Sequence, residues 1–152
     1  MTRAKKTPWT VQRVRLRQVK DGTIKFGVEQ VKRPVDVYRA VLPFYKGADR
    51  EVLSVLCLDA QSVPTCFHVV SMGGLNTTRS HPTEIFKVAI LSNALGIVLC
   101  HNHPSGVLEA SPEDIEFTRT VQSACELLGL ECFDHLIVTD EGFSSMRERG
   151  LL

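Results

Sequence analysis

Apolar residues recur along the chain with two different spacings, which predict a mixture of strands and helices. Short apolar runs, continuous or alternating with polar residues, predict strands. They cover residues 11–19, 24–31, 51–58, 65–72, 96–100 and 131–139. Apolar residues three and four positions apart predict helices from Pro34, over 83–93 and over 112–128. This order predicts an α/β or α+β fold in which helices flank a mixed β-sheet.

Turn-forming residues separate these elements. Proline at the first position is expected to start each helix, and Gly129 is expected to end the last one. Glycine and asparagine predict a loop over residues 73–76, and residues 1–8 are expected to form a loose tail. The elements therefore run almost without interruption from residue 11 to the C-terminus.

Composition narrows the class of protein. The chain has 152 residues, 43% hydrophobic and 23% charged, which suits one globular domain with a core. Its longest apolar run falls short of the roughly 18 residues that span a bilayer. The polar, basic N-terminus lacks the apolar region of a secretory signal, so we expect a cytoplasmic protein without membrane contact. The five cysteines form no C-x-x-C pair and are expected to be reduced and mostly buried.

Charge is distributed unevenly between the two parts of the chain. Residues 1–50 contain 13 lysines and arginines but four acidic residues, whereas residues 51–152 contain five and 13. A basic segment over residues 13–33 can contact nucleic acid. It can equally be a solvated face, because no aromatic residues interleave the basic ones as a base-stacking surface requires. Both interpretations stay open on the sequence alone.

Two histidines at the end of a predicted buried strand are candidate metal ligands. His101 and His103 are two residues apart, so on an extended chain their side chains point to the same side. Two imidazoles can then bind one zinc ion at about 2.0–2.1 Å. The alternating Cys100 points away from them. A His-x-His pair alone is weak evidence for a metal site.

Ser111 and Asp114 strengthen this hypothesis. Ser-x-x-Asp before an amphipathic run is a helix capping box, with Pro112 at the first helical position. A carboxylate in the first turn of a helix can both cap that helix and point towards a metal. Asp114 would be the third ligand, which leaves one position of a tetrahedral zinc ion for water. That arrangement is typical of a catalytic zinc site.

The combined pattern resembles the JAMM motif of MPN/JAB metallopeptidase domains, and most closely the RadC-type branch. Seven residues separate His-x-His from Ser-x-x-Asp, and the likeness extends over residues 30–152. The matching stretches are residues 50–51 (Arg-Glu), 74–76 (Gly-Leu-Asn), 81–86 (His-Pro-Thr-Glu-Ile-Phe), 101–106 (His-Asn-His-Pro-Ser-Gly), 111–114 (Ser-Pro-Glu-Asp) and 134–138 (Asp-His-Leu-Ile-Val). The resemblance implies a cytidine-deaminase-like MPN/JAB sandwich over residues 31–152, preceded by a basic strand or tail at residues 1–30. The first 30 residues lack the glycine hairpins that mark a helix-hairpin-helix region, so we do not expect such a region there.

The resemblance also implies a function. It predicts a zinc-dependent hydrolase that cleaves an amide or isopeptide bond in a peptide substrate with a zinc-activated water. His101, His103 and Asp114 match the ligand positions, and Ser111 matches the serine that would stabilise the oxyanion. Glu51 matches the upstream general base. Glu84 is the rival base, although its place in the first helical turn is explained by capping.

One alternative function accompanies this prediction. The chain could be a RadC-like accessory protein in DNA repair or mobile-element biology, which binds DNA or protein and uses zinc structurally.

The role of one further histidine also stays open. His135, in an apolar strand, could be a core histidine or could support a metal ligand. The sequence leaves the oligomeric state and the physiological substrate open.

Overall fold

A computed structural model describes residues 9–73 and 82–152. This part of the chain contains three helices and five strands. In chain order they are α1 (Pro34–Tyr45), β1 (Val52–Leu58), β2 (Pro64–Met72), α2 (Pro82–Leu91), β3 (Gly96–Asn102), α3 (Pro112–Leu128), β4 (Glu131–Val138) and β5 (Phe143–Ser145). Among these described residues, no helix is both long enough and apolar enough to cross a membrane.

The strands form one mixed sheet in the order β2-β1-β3-β4-β5. β3 and β4 pair in parallel, and the other neighbouring strands pair antiparallel. β3 is the middle strand, and all seven of its residues are buried. Its continuous apolar sequence is the pattern expected of a strand covered on both faces. The α/β class and the mixed sheet predicted from the sequence are confirmed.

Helices cover both faces of the sheet, so the domain has two apolar cores. One core lies on the α1 face and includes Val98 and Cys100 of β3. The other lies on the α2 and α3 face and includes Ile97 and Leu99. Because side chains alternate along a strand, His101 continues the Ile97–Leu99 row and points towards α3. The alternation of β3 thus decides which helix can complete a site with His101.

Two anchors fix the ends of α1. At its start, the Asp36 carboxylate accepts the backbone N–H groups of Lys32 and Arg33 at 3.1 and 2.9 Å. At its end, the buried Tyr45 hydroxyl donates to the carbonyl oxygen of Cys100 over 2.9 Å and contacts Ser54. Burial raises the pKa of the Tyr45 hydroxyl well above its usual value, so it stays a donor. The helix is therefore tied to the strand that carries the two histidines.

The end of α3 determines where β4 enters the sheet. Gly129 adopts a left-handed conformation (φ 68°), and its N–H bonds to carbonyl oxygens of the last helical turn. This is the predicted glycine C-cap, and it reverses the chain directly into β4. His135 of β4 is then the strand partner of Leu99, so it lies beneath α3, close to His101.

The two strands predicted at residues 11–19 and 24–31 are wrong. Residues 9–33 contain neither helix nor strand, and Val14 and Leu16 remain 72% and 76% exposed. Alternation stabilises a strand only when a neighbouring strand satisfies its backbone and a core receives its apolar side chains. None of the five described strands pairs with this segment. Only its later part touches the α1 core, through Phe26 and Val31.

The short strand β5 was not predicted, and the other elements follow the predictions with small shifts at their ends. Helix α2 begins at Pro82 and ends at Leu91, two residues before the predicted end. The predicted tail at residues 1–8, most of the predicted loop at 73–76, and His81 lie outside the described residues. All five cysteines are unpaired and four of them are buried, as expected for reduced thiols in a core.

Candidate metal centre

His101 and His103 converge at the end of β3. Their Nε2 atoms lie 2.9 Å apart. His101 is the second-last residue of the strand and is buried, whereas the side chain of His103 is 11% exposed. The Nδ1 atom of His103 donates to the carbonyl oxygen of Val107 at 2.7 Å. That bond places the ring proton on Nδ1 and leaves Nε2 free to bind a cation.

The carboxylate of Asp114 meets both rings from the first turn of α3. Its Oδ1 atom is 3.4 Å from Nε2 of His101, and its Oδ2 atom is 3.5 Å from Nε2 of His103. Asp114 also occupies position N3 of a complete capping box that starts at the N-cap Ser111. Its N–H donates to Oγ of Ser111 at 3.1 Å, and its Oδ2 accepts the N–H of Ser111 at 2.8 Å. The helix cap therefore holds the carboxylate rigidly against the histidines.

The spacing of these donor atoms fits a tetrahedral metal ion. Ligands about 2.0–2.1 Å from zinc lie roughly 3.3–3.4 Å from one another in that geometry. One donor atom from each of His101, His103 and Asp114 falls within 4.8 Å of the others, and no second such group occurs among residues 9–73 and 82–152. Two imidazoles and one carboxylate are donors that zinc accepts, with one position left open. The three residues thus form a candidate metal site.

Electrostatics keep the carboxylate ionised. Burial by itself would raise the pKa of Asp114, but its contacts with the imidazoles of His101 and His103 and its hydrogen bonding with Ser111 outweigh burial and lower it strongly. The pKa of His103 is raised, mainly by its bond to Asp114, with smaller contributions from Val107 and the charge of Glu51. A buried acidic group that stays charged beside two imidazoles is well suited to hold a divalent cation.

Glu51 lies immediately before β1, at the end of the strand nearest to the histidines. In the β1–β3 register Leu53 is the partner of His101, so the same register continued by two residues brings Glu51 opposite His103. Its negative charge contributes to the raised pKa of His103, which agrees with that placement. The carbonyl oxygen of Glu51 accepts the N–H of Gly73 at 2.8 Å.

Asn102 clamps the backbone on both sides of Glu51. Its Oδ1 atom accepts the N–H of Val52 at 2.7 Å, and its Nδ2 atom donates to the carbonyl oxygen of Arg50 at 3.1 Å. Asn102 is only 4% exposed. Because it stands between His101 and His103, it ties the position of Glu51 to the two candidate ligands.

The other sequence-predicted residues have clear places as well. The hydroxyl of Ser111 accepts a hydrogen bond from the N–H of Asp114, and the same side chain helps to lower the pKa of the Asp114 carboxylate. Glu84 forms an ion pair with Lys87 of the same helix at 2.6 Å, and both side chains are about half exposed. The structure therefore gives Glu84 a surface role on α2.

Sequence reasoning missed two polar side chains and left a third undecided. Asn102 is the middle residue of His-x-His, and Thr118 lies four residues after Asp114, one helical turn further along the same face. That spacing was a signal that Thr118 faces the site. His135, left between two interpretations, is fully buried and also contacts His101, with Nε2 2.8 Å from Nδ1 of that ring. Burial lowers its pKa well below the usual value and keeps it neutral.

The fold and this cluster together define a class of protein. A mixed sheet between helices, with His-x-His ending the middle strand and an aspartate opening the next helix, characterises a JAB-type domain. The chain belongs to the RadC-like JAB domain family, whose sequence model matches residues 31–151. This finding confirms the resemblance stated from the motifs.

Curated proteins of similar sequence support this family assignment. A UPF0758 protein of Clostridium botulinum is 37% identical over 131 residues, which are 86% of this chain and 58% of that protein. A UPF0758 protein of Desulfitobacterium hafniense is 38% identical over 122 residues, 80% of this chain and 54% of that protein. One from Clostridium perfringens is 36% identical over 123 residues, with 81% and 54% covered. The chain thus matches little more than half the length of these relatives.

Proposed function

We propose that this domain is a zinc-dependent hydrolase of the JAMM type that cleaves an amide or isopeptide bond. The observation that supports the proposal most strongly is the convergence of His101, His103 and Asp114 on one point with tetrahedral spacing. Their three donor atoms leave one ligand position open, as hydrolytic zinc sites require. When bound there, zinc would polarise a carbonyl group and lower the pKa of water to about 7.

The chain's own residues supply the remaining chemistry. Glu51, fixed by Asn102 beside the histidines, takes the proton from the attacking water and delivers it to the leaving amine. Ser111, at the start of α3 beside Asp114, uses its hydroxyl group to stabilise the oxyanion that develops on the substrate carbonyl. Buried strands beneath the two histidines exclude bulk water from the lower side of the site. Each residue thus performs a task that its contacts permit.

Hydrolysis by the intact chain tests this proposal. The substrates are peptides that carry a glycine-terminated branch on the Nζ atom of a lysine, together with linear peptides of the same composition. We expect the zinc-loaded protein to release new amine, the chelated protein to release none, and added zinc to restore release. A protein that holds stoichiometric zinc yet releases amine from neither set would contradict amide hydrolysis.

A second function, contact with nucleic acid, is favoured by a different observation. Arg13, Arg15, Arg17 and Lys20 lie on an exposed segment without helix or strand, and none of them forms an ion pair within the described residues. Unpaired cations spaced along an exposed segment can each contact a backbone phosphate. We propose that this segment binds DNA weakly and without sequence preference. Such binding is compatible with hydrolysis at the zinc site.

The salt dependence of DNA binding distinguishes this function. Each phosphate contact contributes about 0.9 to the slope of log affinity against log salt. We therefore expect replacement of Arg13, Arg15 and Arg17 with glutamine to reduce that slope by about 3 on a short duplex. A matched triple variant, in which the exposed Arg39, Arg119 and Arg149 become glutamine, changes the net charge equally and should keep most of the slope. Equal losses in both triple variants would contradict a local DNA-binding segment.

A further inference from the structure

His135 stands between two polar side chains in the interior of the domain. Its Nε2 atom is 2.8 Å from Nδ1 of His101, and its Nδ1 atom is 2.6 Å from Oγ1 of Thr118. The Thr118 hydroxyl donates to the carbonyl oxygen of Asp114 at 2.6 Å. His135 and Thr118 are 0% and 1% exposed, so water does not replace these bonds. These groups, from His101 to the Asp114 carbonyl, are called the Thr118–His135 chain.

The direction of each hydrogen bond in the Thr118–His135 chain is assigned from the acceptor at its end, the carbonyl oxygen of Asp114. A carbonyl oxygen can only accept, so the single hydroxyl hydrogen of Thr118 is directed at Asp114. The sulfur of Met146, at 3.3 Å, is a weaker alternative acceptor for the same hydrogen. With the hydrogen on either of these acceptors, the Thr118 oxygen accepts from His135, which assigns the His135 proton to Nδ1.

That proton position determines which ring nitrogen of His101 carries its proton. His135 is buried, and its ring nitrogens bond to an imidazole and a hydroxyl rather than to a carboxylate, so it is neutral. With its proton on Nδ1, its Nε2 atom is an acceptor and Nδ1 of His101 must donate to it. The Nε2 atom of His101 then carries a lone pair that points at His103 and Asp114.

We propose that the Thr118–His135 chain fixes the tautomer of His101 and thereby strengthens metal binding at its Nε2 atom. The inference rests on the zinc site proposed above and adds two positioning residues to it. In both histidine ligands a backbone carbonyl group would then fix the position of the ring proton. Val107 fixes His103 directly through its carbonyl group, and the carbonyl group of Asp114 fixes His101 through two side chains. The first turn of α3 supplies both a carboxylate ligand and this carbonyl.

Zinc affinity of the full chain tests the proposal without any substrate. Thr118→Val keeps the shape of the side chain but removes the hydroxyl. We expect it to weaken zinc binding by about 10- to 100-fold, the usual effect of losing a partner behind a metal ligand. Thr118→Ser, which keeps the hydroxyl, should restore affinity to within about threefold of the original chain. Competition against a metallochromic chelator measures both.

The matched control is Thr120→Val on the same helix. Thr120 makes an equivalent bond from its hydroxyl to the carbonyl oxygen of Glu116 at 3.0 Å, but it is exposed and contacts no histidine. We expect its zinc affinity to equal that of the original chain. If Thr118→Val and Thr120→Val bind zinc equally well, the Thr118–His135 chain does not tune the metal.

Nitrogen NMR of the imidazole rings supplies a readout that a purely structural role for Thr118 would not change. In the unsubstituted protein we expect the His135 proton on Nδ1 and the His101 proton on Nδ1. A His135 proton on Nε2 overturns the inference whether or not zinc binds. Failure of the unsubstituted chain to bind zinc overturns the proposed hydrolase instead. The two failures are therefore distinguishable.

Discussion

Replacing Asp114 with alanine is expected to abolish stoichiometric zinc binding, and so are His101→Ala and His103→Ala. Three protein side chains hold the proposed ion, and each removal leaves two, which is too few for a stable zinc site. The carboxylate also contributes the negative charge that offsets the metal inside a buried pocket. Elemental analysis after gel filtration measures zinc per chain. We expect about one ion in the original protein and close to none in each variant.

Ser111→Ala is the matched control for Asp114→Ala. Each substitution removes one side chain of the same capping box, so each weakens the start of α3 by about 1 kcal/mol. Only Asp114→Ala removes a proposed ligand. We therefore expect Ser111→Ala to lose a similar amount of stability in thermal unfolding while it retains zinc. Full zinc occupancy in all three ligand variants would contradict a zinc site at these residues. Loss of zinc in Ser111→Ala would mean that zinc binding depends on an intact start of α3 and not on the Asp114 side chain as a ligand.

Zinc should also stabilise the folded protein, because the ligands come together only on folding. At a free zinc concentration of 100 times the dissociation constant, the free energy of unfolding should rise by about 2.7 kcal/mol. Thermal unfolding with and without zinc shows this as a higher melting temperature. The ligand variants should lack the increase, whereas Ser111→Ala should keep it. This comparison separates specific zinc binding from metal held loosely at surface histidines such as His68.

The sheet and helices were predictable because their signals are local. The continuous apolar run of β3, the proline at the start of α3 and Gly129 at its end each determine the nearby backbone. The alternation in residues 11–19 was the same kind of signal, but a strand needs a partner that the local sequence does not contain. The described sheet is formed by five other strands. A local pattern thus predicted the backbone correctly where a neighbouring strand or helix completed the element, and it failed at residues 11–19 and 24–31, where none of the five described strands is a partner.

The candidate site was predictable in part. His-x-His and Ser-x-x-Asp are two local motifs, and their spacing pointed to a shared metal once the family resemblance was considered. The supporting contacts depend instead on how elements pack. Thr118 and His135 are 17 residues apart and meet only because α3 lies across β4. Asn102 reaches Arg50 and Val52 only because β1 and β3 are neighbours. Such bonds require tertiary structure to be identified.

Glu51→Gln is expected to reduce hydrolysis by about 10²- to 10⁴-fold while zinc content stays at the original level. Glutamine keeps the size of the side chain but cannot take a proton from water. It leaves the clamp from Asn102 intact, because that clamp binds the backbone at Arg50 and Val52. Amine release from the branched peptides measures the rate, and elemental analysis on the same samples measures the metal. A loss of zinc together with rate would give Glu51 a structural role instead.

Glu84→Gln provides the comparison that decides between the two candidate bases. Glu84 is paired with Lys87 on the exposed side of α2, so its replacement should change the rate by less than about twofold. Hydrolysis that survives Glu51→Gln but is lost in Glu84→Gln would transfer the role of base to Glu84. A rate unchanged in both variants would mean that neither glutamate moves the proton. We expect hydrolysis to be lost only in Glu51→Gln. The reason is that Asn102 holds the backbone around Glu51 beside His103, so that Glu51 and not Glu84 reaches the water.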